Sequence, residues 1–318
     1  MKSAGIIVVR LSSLGDIVHS AHAASGITAA TGRKIAWLTS PQYEPLVRRF
    51  EFVEEILLAD TAGPLRALRS LAALRRHAGR FNTVIDLQGL IKSALPARML
   101  GRVAGFMRPD AREGAWLLYR KTVRAEETHA TEKQARLVSS ALGTEITPQP
   151  LPGIRAQRKD GGYTVFIAAA SRGNKAWPME RFLELADILS GDIYVCGGPD
   201  EQETVRHIAG HPRVEAAPPM DLPALVDFLS AARLVIGVDT GPVHLASALG
   251  VPVVALFGPT DPARTRPYGP GARIVLSQNE CRLCLKRRCL LGEHPAPCMS
   301  AISAAEVARA AHTAGASS

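Results

Sequence analysis

Residues 233–258, RLVIGVDTGPVHLASALGVPVVALFG, carry the pattern that decides the fold class. The apolar run 233–239 has the length of a buried strand, segment 242–249 has a helical pattern, and 251–258 is again apolar and rich in valine. A strand, a helix and a strand in this order predict a βαβ unit, in which the two strands are parallel.

The same alternation extends over the rest of the chain. The sequence predicts further strands at 6–10, 34–40, 53–59, 83–89, 163–170 and 192–198. It predicts further helices at 17–30, 64–78, 178–190, 200–209, 221–230 and 301–313. Such alternation is typical of an α/β protein with doubly wound parallel sheets.

A linker divides this pattern into two halves. Residues 144–162, TEITPQPLPGIRAQRKDGG, are rich in proline, glycine and charge and have no periodicity. We therefore expect two domains of similar size, 1–155 and 156–318. Ligands of open parallel sheets bind beyond the carboxyl ends of the strands, so we expect the functional site in a cleft between the halves.

Composition narrows the class of protein. The chain has 318 residues, of which 47% are hydrophobic and 21% charged, which fits two packed domains and excludes long disorder. No apolar run approaches the roughly 20 residues of a membrane span. The amino-terminal apolar stretch meets Arg10 too early for a signal peptide, so we expect a cytoplasmic protein.

The positive charge is unevenly distributed. Residues 1–155 contain 22 basic and 13 acidic side chains, a net +9, whereas residues 156–318 contain 16 of each. This asymmetry favours an anionic partner for the first half, such as nucleic acid, phosphorylated lipid or a membrane surface. Arginine on ordinary solvated helix faces is the alternative.

Three loops after predicted strands can bind anions at helix amino termini. The first, RLSSLGDIVH at 10–19, contains Asp16, which is either a catalytic base or a helix N-cap. The second, AAASRGNKAWP at 168–178, contains Lys175, which either neutralises a diphosphate or is a solvated loop lysine. The third, DTGPVH at 239–244, either binds phosphate at Thr240 and Gly241 or only caps a helix, with a buried core histidine behind it.

Four of the five cysteines lie within 18 residues, as Cys281-x2-Cys284-x4-Cys289-x4-His294-x3-Cys298. Without a signal peptide, disulfides are not the default. Four thiolates, or three with the imidazole, suit structural zinc or iron. Unmetallated thiols are the alternative, and the spacing leaves both open.

Taken together, five motifs in order resemble the bacterial lipopolysaccharide heptosyltransferases of glycosyltransferase family 9. They are RLSSLGDIVHS (10–20), DLQGLIKSAL (86–95), SRGNKAWP (171–178), GVDTGPVHLASALG (237–250) and FGPTDPARTRPYG (257–269). The likeness is strongest to the enzyme that adds the first heptose, while the cysteine segment 281–298 is more similar to the enzyme that adds the second.

The resemblance implies a GT-B fold, two Rossmann-like domains facing each other across a cleft. The first domain would bind Kdo-lipid A at the cytoplasmic face of the inner membrane, and the second would bind ADP-heptose. An L-glycero-D-manno-heptosyl group would be transferred with inversion, without a required cofactor. Nucleic acid is not an expected partner.

The resemblance also implies residue roles. Asp16 would be the base, and Lys175 would stabilise the departing ADP. The remaining donor-binding residues would be Ser171, Glu201, Met220, Asp239, Thr240, Gly241 and His244. Ser12, Lys92 and Arg112 would bind the acceptor. Three alternatives remain: transfer onto the first heptose, a nucleotide-sugar-binding protein without activity, and a nucleic-acid binder built on a metal knuckle at the cysteines.

Overall fold

The computed structural model describes residues 5–157, 161–168, 173–292 and 295–315. The chain divides into two compact units, residues 1–155 and 156–318. Each unit contains one parallel six-stranded sheet, so the predicted α/β class is confirmed.

The first unit is built on strands β1 to β6. Their bounds are Gly5–Val9, Ile35–Thr39, Val53–Leu58, Phe81–Asp86, Val103–Phe106 and Lys121–Val123. The helices α1 to α5 span Leu14–Thr31, Glu44–Val47, Pro64–Leu74, Ile91–Leu100 and Ala130–Leu142. The strand order is β3-β2-β1-β4-β5-β6, with β1 in the middle of the sheet.

The second unit repeats this plan. Strands β7 to β12 span Thr164–Ile167, Ile193–Cys196, Val214–Ala216, Leu234–Val238, Val253–Phe257 and Ala272–Leu276. Helices α6 to α12 span Met179–Ile188, Gln202–Ile208, Leu222–Ala231, Gly241–Ala248, Pro262–Thr265, Pro297–Ser300 and Ala304–Gly315. The order β12-β11-β10-β7-β8-β9 places β10 and β7 side by side in the middle.

Strand order explains which loops form a site. In each sheet the chain starts at a central strand, builds one side, and then returns to build the other side. The strand that starts each half of the sheet is therefore β1 or β4 in the first unit and β7 or β10 in the second. Loops that leave two such neighbouring strands diverge and open a crevice at the carboxyl edge.

The sequence missed four strands, β5, β6, β9 and β12. They have three to five residues each, and β6, β9 and β12 lie at sheet edges, where side chains are only partly buried and the apolar pattern is weak. The predicted linker is also more structured than expected: Ile146 is buried, and Gln149 donates its backbone N–H to the carbonyl of His22. No helix in the described part of the chain is both long and apolar enough to cross a membrane.

Candidate functional site

A buried ion-paired group lies at the carboxyl end of β10 in the second unit. Asp239 follows this strand, and its carboxylate accepts a hydrogen bond from Lys175 Nζ at 2.7 Å. The other carboxylate oxygen lies 3.0 Å from His244 Nε2 on α9. Lys175 Nζ also donates to the main-chain carbonyl of Asp239 at 2.9 Å. Lys175 is only 9% exposed, so it is not a solvated loop lysine.

The charges in this group support one another. Burial raises the pKa of Asp239. The hydrogen bond and charge of His244, followed by those of Lys175, lower it by a larger amount, so this pKa lies well below its ordinary range. An ionised Asp239 thus holds Lys175 in one position. An ammonium group has three N–H donors, and within the described part of the chain Lys175 donates two of them to Asp239.

The amino terminus of α9 lies next to this group. Thr240 is the N-cap, but its hydroxyl donates back to the Val238 carbonyl at 3.1 Å instead of capping the helix. Of the first-turn residues, Gly241 and Val243 have backbone N–H groups without an acceptor within the helix, whereas Pro242 has no N–H. Helix amino termini attract anions, so the lysine and these amides together make this corner of the second unit electropositive.

A cavity of about 150 Å³ lies at the carboxyl edge of β7, β8 and β9. Its lining is Ile167, Cys196, Gly197, Gly198, Gln202, Val205, Ala217, Pro218, Pro219, Met220, Leu225 and Pro242. Met220 is thus in the wall of a mainly apolar cavity. Glu201 lies close to Gly198 of this lining: its Oε2 is 2.8 Å from the position that a Cβ on Gly198 would occupy.

The cysteine segment packs against the loops of this same unit. The Leu283 and Leu285 amides donate to the carbonyls of Gly258 and Pro259, each at 2.8 Å. Asn174, next to Lys175, donates to the Lys286 carbonyl at 2.9 Å. The sequence did not predict this contact, which connects the lysine loop to the cysteine segment.

The four clustered cysteines are close enough to influence one another. Burial, followed by the thiols of Cys281, Cys284 and Cys289, raises the pKa of Cys298 to about 11. All four thiols are free. Among the described residues, no group of three or more His, Cys, Asp or Glu side chains is arranged to hold a metal ion. His294 and the predicted donor residue Ser171 lie outside the described residues.

Asp16 is in the first turn of α1, at the carboxyl end of β1. The helix begins at Leu14 with Ser13 as N-cap, so the interpretation of Asp16 as the N-cap is wrong: it is the third helical residue and reaches back in a capping box. Its carboxylate accepts from the Ser13 hydroxyl at 2.9 Å and pairs with Arg10 Nη2 at 2.8 Å. The side chain is still 49% exposed.

Electrostatics keep Asp16 ionised. Burial raises the pKa of this carboxyl. The Arg10 charge and the hydrogen bonds from Ser13 together lower it by more, so the pKa lies below its ordinary value. Arg10 is itself fixed, because its Nη1 donates to the Leu87 carbonyl at 2.6 Å.

Asp86, at the end of β4, was not predicted as a site residue. It is completely buried and accepts hydrogen bonds from Tyr119 Oη and Ser93 Oγ, each at 2.8 Å, and from the Gln88 amide at 2.9 Å. Burial raises its pKa. Asp86 therefore fixes the loop that leads to Lys92. An acidic residue ending a buried strand before a glycine turn was the available signal, as at Asp239.

Two of the three predicted acceptor residues line one cavity of about 340 Å³ in the first unit. Its lining is Leu11, Ser12, Ser40, Pro41, Gln42, Asp60, Thr61, Ala62, Arg66 and Lys92. Lys92 Nζ donates to Ser12 Oγ at 3.2 Å, which connects α4 to the loop after β1. Arg112 is exposed and is not part of this lining.

Comparison with known proteins identifies clear relatives. Residues 69–294 match glycosyltransferase family 9 (heptosyltransferase). The chain is 30% identical over 311 residues to lipopolysaccharide heptosyltransferase 1 of Escherichia coli (strain K12), covering 90% of this chain and 98% of that protein.

Solved structures agree with these sequence matches. E. coli heptosyltransferase WaaC with ADP superposes with a TM-score of 0.81 and 27% identity, over 97% of this chain and 99% of that one. The same enzyme with ADP-2-deoxy-2-fluoro heptose gives a TM-score of 0.78 and 28% identity, with the same coverage.

Proposed function

The chain belongs to glycosyltransferase family 9, and on this basis we propose that it transfers L-glycero-D-manno-heptose from ADP-heptose to Kdo-lipid A in lipopolysaccharide core biosynthesis. It is a glycosyltransferase of the heptosyltransferase group, with heptosyltransferase 1 enzymes among its relatives. The observation that carries the chemistry is the buried Lys175, held by Asp239 beside the amino terminus of α9.

The second unit is the proposed donor domain. The diphosphate of ADP-heptose would meet Lys175 and the first-turn amides of α9, where charge develops as ADP departs. Such preorganised donors stabilise the transition state because they need no reorganisation during the reaction. Adenine would enter the cavity that Met220 lines, and Glu201 would bind the ribose. Asp239 and His244 would border the heptose while holding Lys175.

In the first unit, Asp16 is the proposed base. In an inverting displacement the acceptor hydroxyl attacks the anomeric carbon, the bond to ADP breaks, and the hydroxyl proton must be removed. The low pKa of Asp16 keeps it deprotonated but makes it a weak base. It would accept the proton after the new C–O bond has begun to form, when the acceptor oxygen has become acidic.

The acceptor would bind in the cavity lined by Ser12 and Lys92, with Arg112 as a further cation. The Kdo carboxylates and lipid A phosphates are anionic, which agrees with the net +9 of residues 1–155. We propose peripheral association with the cytoplasmic face of the inner membrane, and a reaction that uses Lys175 rather than a metal to neutralise the diphosphate.

A transfer assay tests this function directly. Purified protein is incubated with ADP-heptose and either Kdo-lipid A or the same acceptor already carrying one heptose, and product mass and ADP release are measured. We expect transfer to Kdo-lipid A. Transfer only to the heptosylated acceptor would instead establish a second-heptose enzyme. ADP-heptose binding without transfer to either acceptor would contradict the proposed activity.

A further inference from the structure

One face of the first sheet is covered by a layer of helices with unusual surface chemistry. Right-handed crossovers place α3, α4 and the short 3-10 helix Ala115–Leu118 on the same face, opposite α1 and α2. In agreement, α3 packs against α4, and α4 packs against the 3-10 helix. We call α3, α4, their flanking turn Arg75–His77 and the 3-10 helix the basic helix layer.

The outer surface of this layer is apolar along its centre. On α3, Leu65 and Leu68 are 71% and 63% exposed, and Ala72 extends their row by one helical turn. The inner side of the same helix is formed by Leu71 and the buried Leu74. An ordinary amphipathic helix has only one apolar face, whereas α3 has a second that points to solvent.

The neighbouring helices continue this apolar surface. Leu95 on α4 is 44% exposed and Leu117 on the 3-10 helix is 78% exposed. In the described part of the first unit, every exposed large apolar side chain that lies on a helix belongs to this layer. Helix α5 packs against α1 and so belongs to the opposite face. Within the same described residues, α1, α2 and α5 have no exposed large apolar side chain.

Charge also differs between the helices of the two faces. The layer has no acidic residue and six basic ones, Arg66, Arg69, Arg75, Arg76, Lys92 and Arg98, of which Arg75 and Arg76 belong to the flanking turn. Within their own helical residues, α1, α2 and α5 carry three acidic residues, Asp16, Glu44 and Glu132, and two basic ones, Lys133 and Arg136. The layer that carries the exposed leucines therefore has a purely basic set of charged residues.

We propose that the basic helix layer docks this protein on a bilayer surface that contains anionic phospholipid. Leucines embed at the boundary between headgroups and acyl chains, while flanking arginines reach phosphates with their long side chains. Arg66 pairs with Asp60 on the preceding loop at 3.5 Å, but the charged residues of the layer itself are all positive. Two copies facing each other would therefore repel, which disfavours a dimer through this face. Arg66 and Lys92 also line the acceptor cavity, so docking would bring a lipid-linked acceptor beside it.

Vesicle flotation tests the surface without any acceptor present. Wild-type protein is mixed with vesicles of phosphatidylethanolamine and phosphatidylglycerol, or of phosphatidylcholine alone. We expect binding to the anionic vesicles, weakened by salt, and at least roughly tenfold weaker partitioning of the Leu65→Ser/Leu68→Ser variant, because two leucines lose their insertion energy. The matched control is Leu290→Ser/Leu291→Ser, two leucines that are 76% and 60% exposed in the cysteine segment.

The proposal rests on the proposed function for its lipid-linked acceptor, but it can fail separately. The Leu65→Ser/Leu68→Ser variant should retain wild-type turnover on an acceptor freed of its acyl chains and lose turnover only on the vesicle-embedded one. The proposed docking surface would be contradicted if this variant bound vesicles as well as the wild type, or if its loss of vesicle binding were no larger than that of the control. A wild-type dimer in light scattering that this variant converts to monomer would also contradict it. Absence of transfer to any acceptor would instead contradict the function and leave the flotation result valid.

Discussion

Asp16 differs from an ordinary capping carboxylate because Arg10 binds its second oxygen. We predict that Asp16→Asn lowers turnover by about 100-fold or more, since the amide cannot accept the proton. ADP-heptose affinity should change little, because Asp16 belongs to the first unit and the donor groups to the second. Initial rates of ADP release and donor titration by calorimetry measure the two effects. Turnover close to wild type would remove Asp16 from the role of base.

In the proposed reaction, Lys175 acts on the leaving group and not on the acceptor, because its charge is needed most as the diphosphate departs. We predict that Lys175→Ala weakens ADP binding and also slows turnover, with a loss of about 1.5–3 kcal/mol for a charge-assisted contact. Asp239→Asn is the matched control: it keeps the ammonium and removes only the negative charge that pairs with it, so ADP affinity should fall less. Unchanged affinity and rate in Lys175→Ala would show that this lysine is only structural.

At the scale of elements, the ionised carboxylate of Asp239 stabilises the junction of β10 and α9. The pKa of Asp239 is lower in the folded than in the unfolded protein, so its contribution is present above the ordinary value of 3.8 and is lost as pH falls towards the folded pKa. We predict that the melting temperature of the wild type falls more steeply than that of Asp239→Asn below about pH 4. Parallel melting curves for the two proteins over this range would contradict the assignment.

The cysteine segment is a second element whose role can be separated from catalysis. It contacts the lysine loop through the backbone of Lys286, and the chemistry is assigned to Lys175 and the α9 amides. We therefore predict that chelator treatment leaves turnover unchanged, and that any metal bound at the thiols affects only thermal stability. Metal analysis, melting temperature and turnover are measured on the same sample. Immediate and reversible loss of turnover at constant melting temperature would place a metal in the reaction.

For the whole molecule, the two units differ in net charge. Residues 1–155 carry a net +9 and residues 156–318 are neutral. Screening should weaken attraction of the anionic acceptor more than binding of ADP-heptose, which depends on a buried lysine. We predict that increasing ionic strength raises KM for an acyl-free Kdo acceptor while KM for ADP-heptose changes less. Equal increases in both would contradict this division.

Local pattern alone determined the α/β class, the division into two halves and the loops that follow β1, β7 and β10. This was possible because a strand or helix that buries one face has apolar residues at regular intervals in its sequence. Short edge strands such as β6 and β9 have too few buried residues to show this periodicity. The five ordered motifs were by themselves sufficient to indicate the family, because together they extend over most of the chain.

Only the tertiary structure decided how these side chains are partnered. Asp239 binds Lys175 across 64 positions of sequence, Asn174 reaches Lys286, and Tyr119 satisfies the buried Asp86. The second apolar face of α3 likewise became visible only when its other face was seen to pack inward. Such contacts depend on which distant segments the sheet order brings together, and the spacing of residues along one segment contains no information about that order.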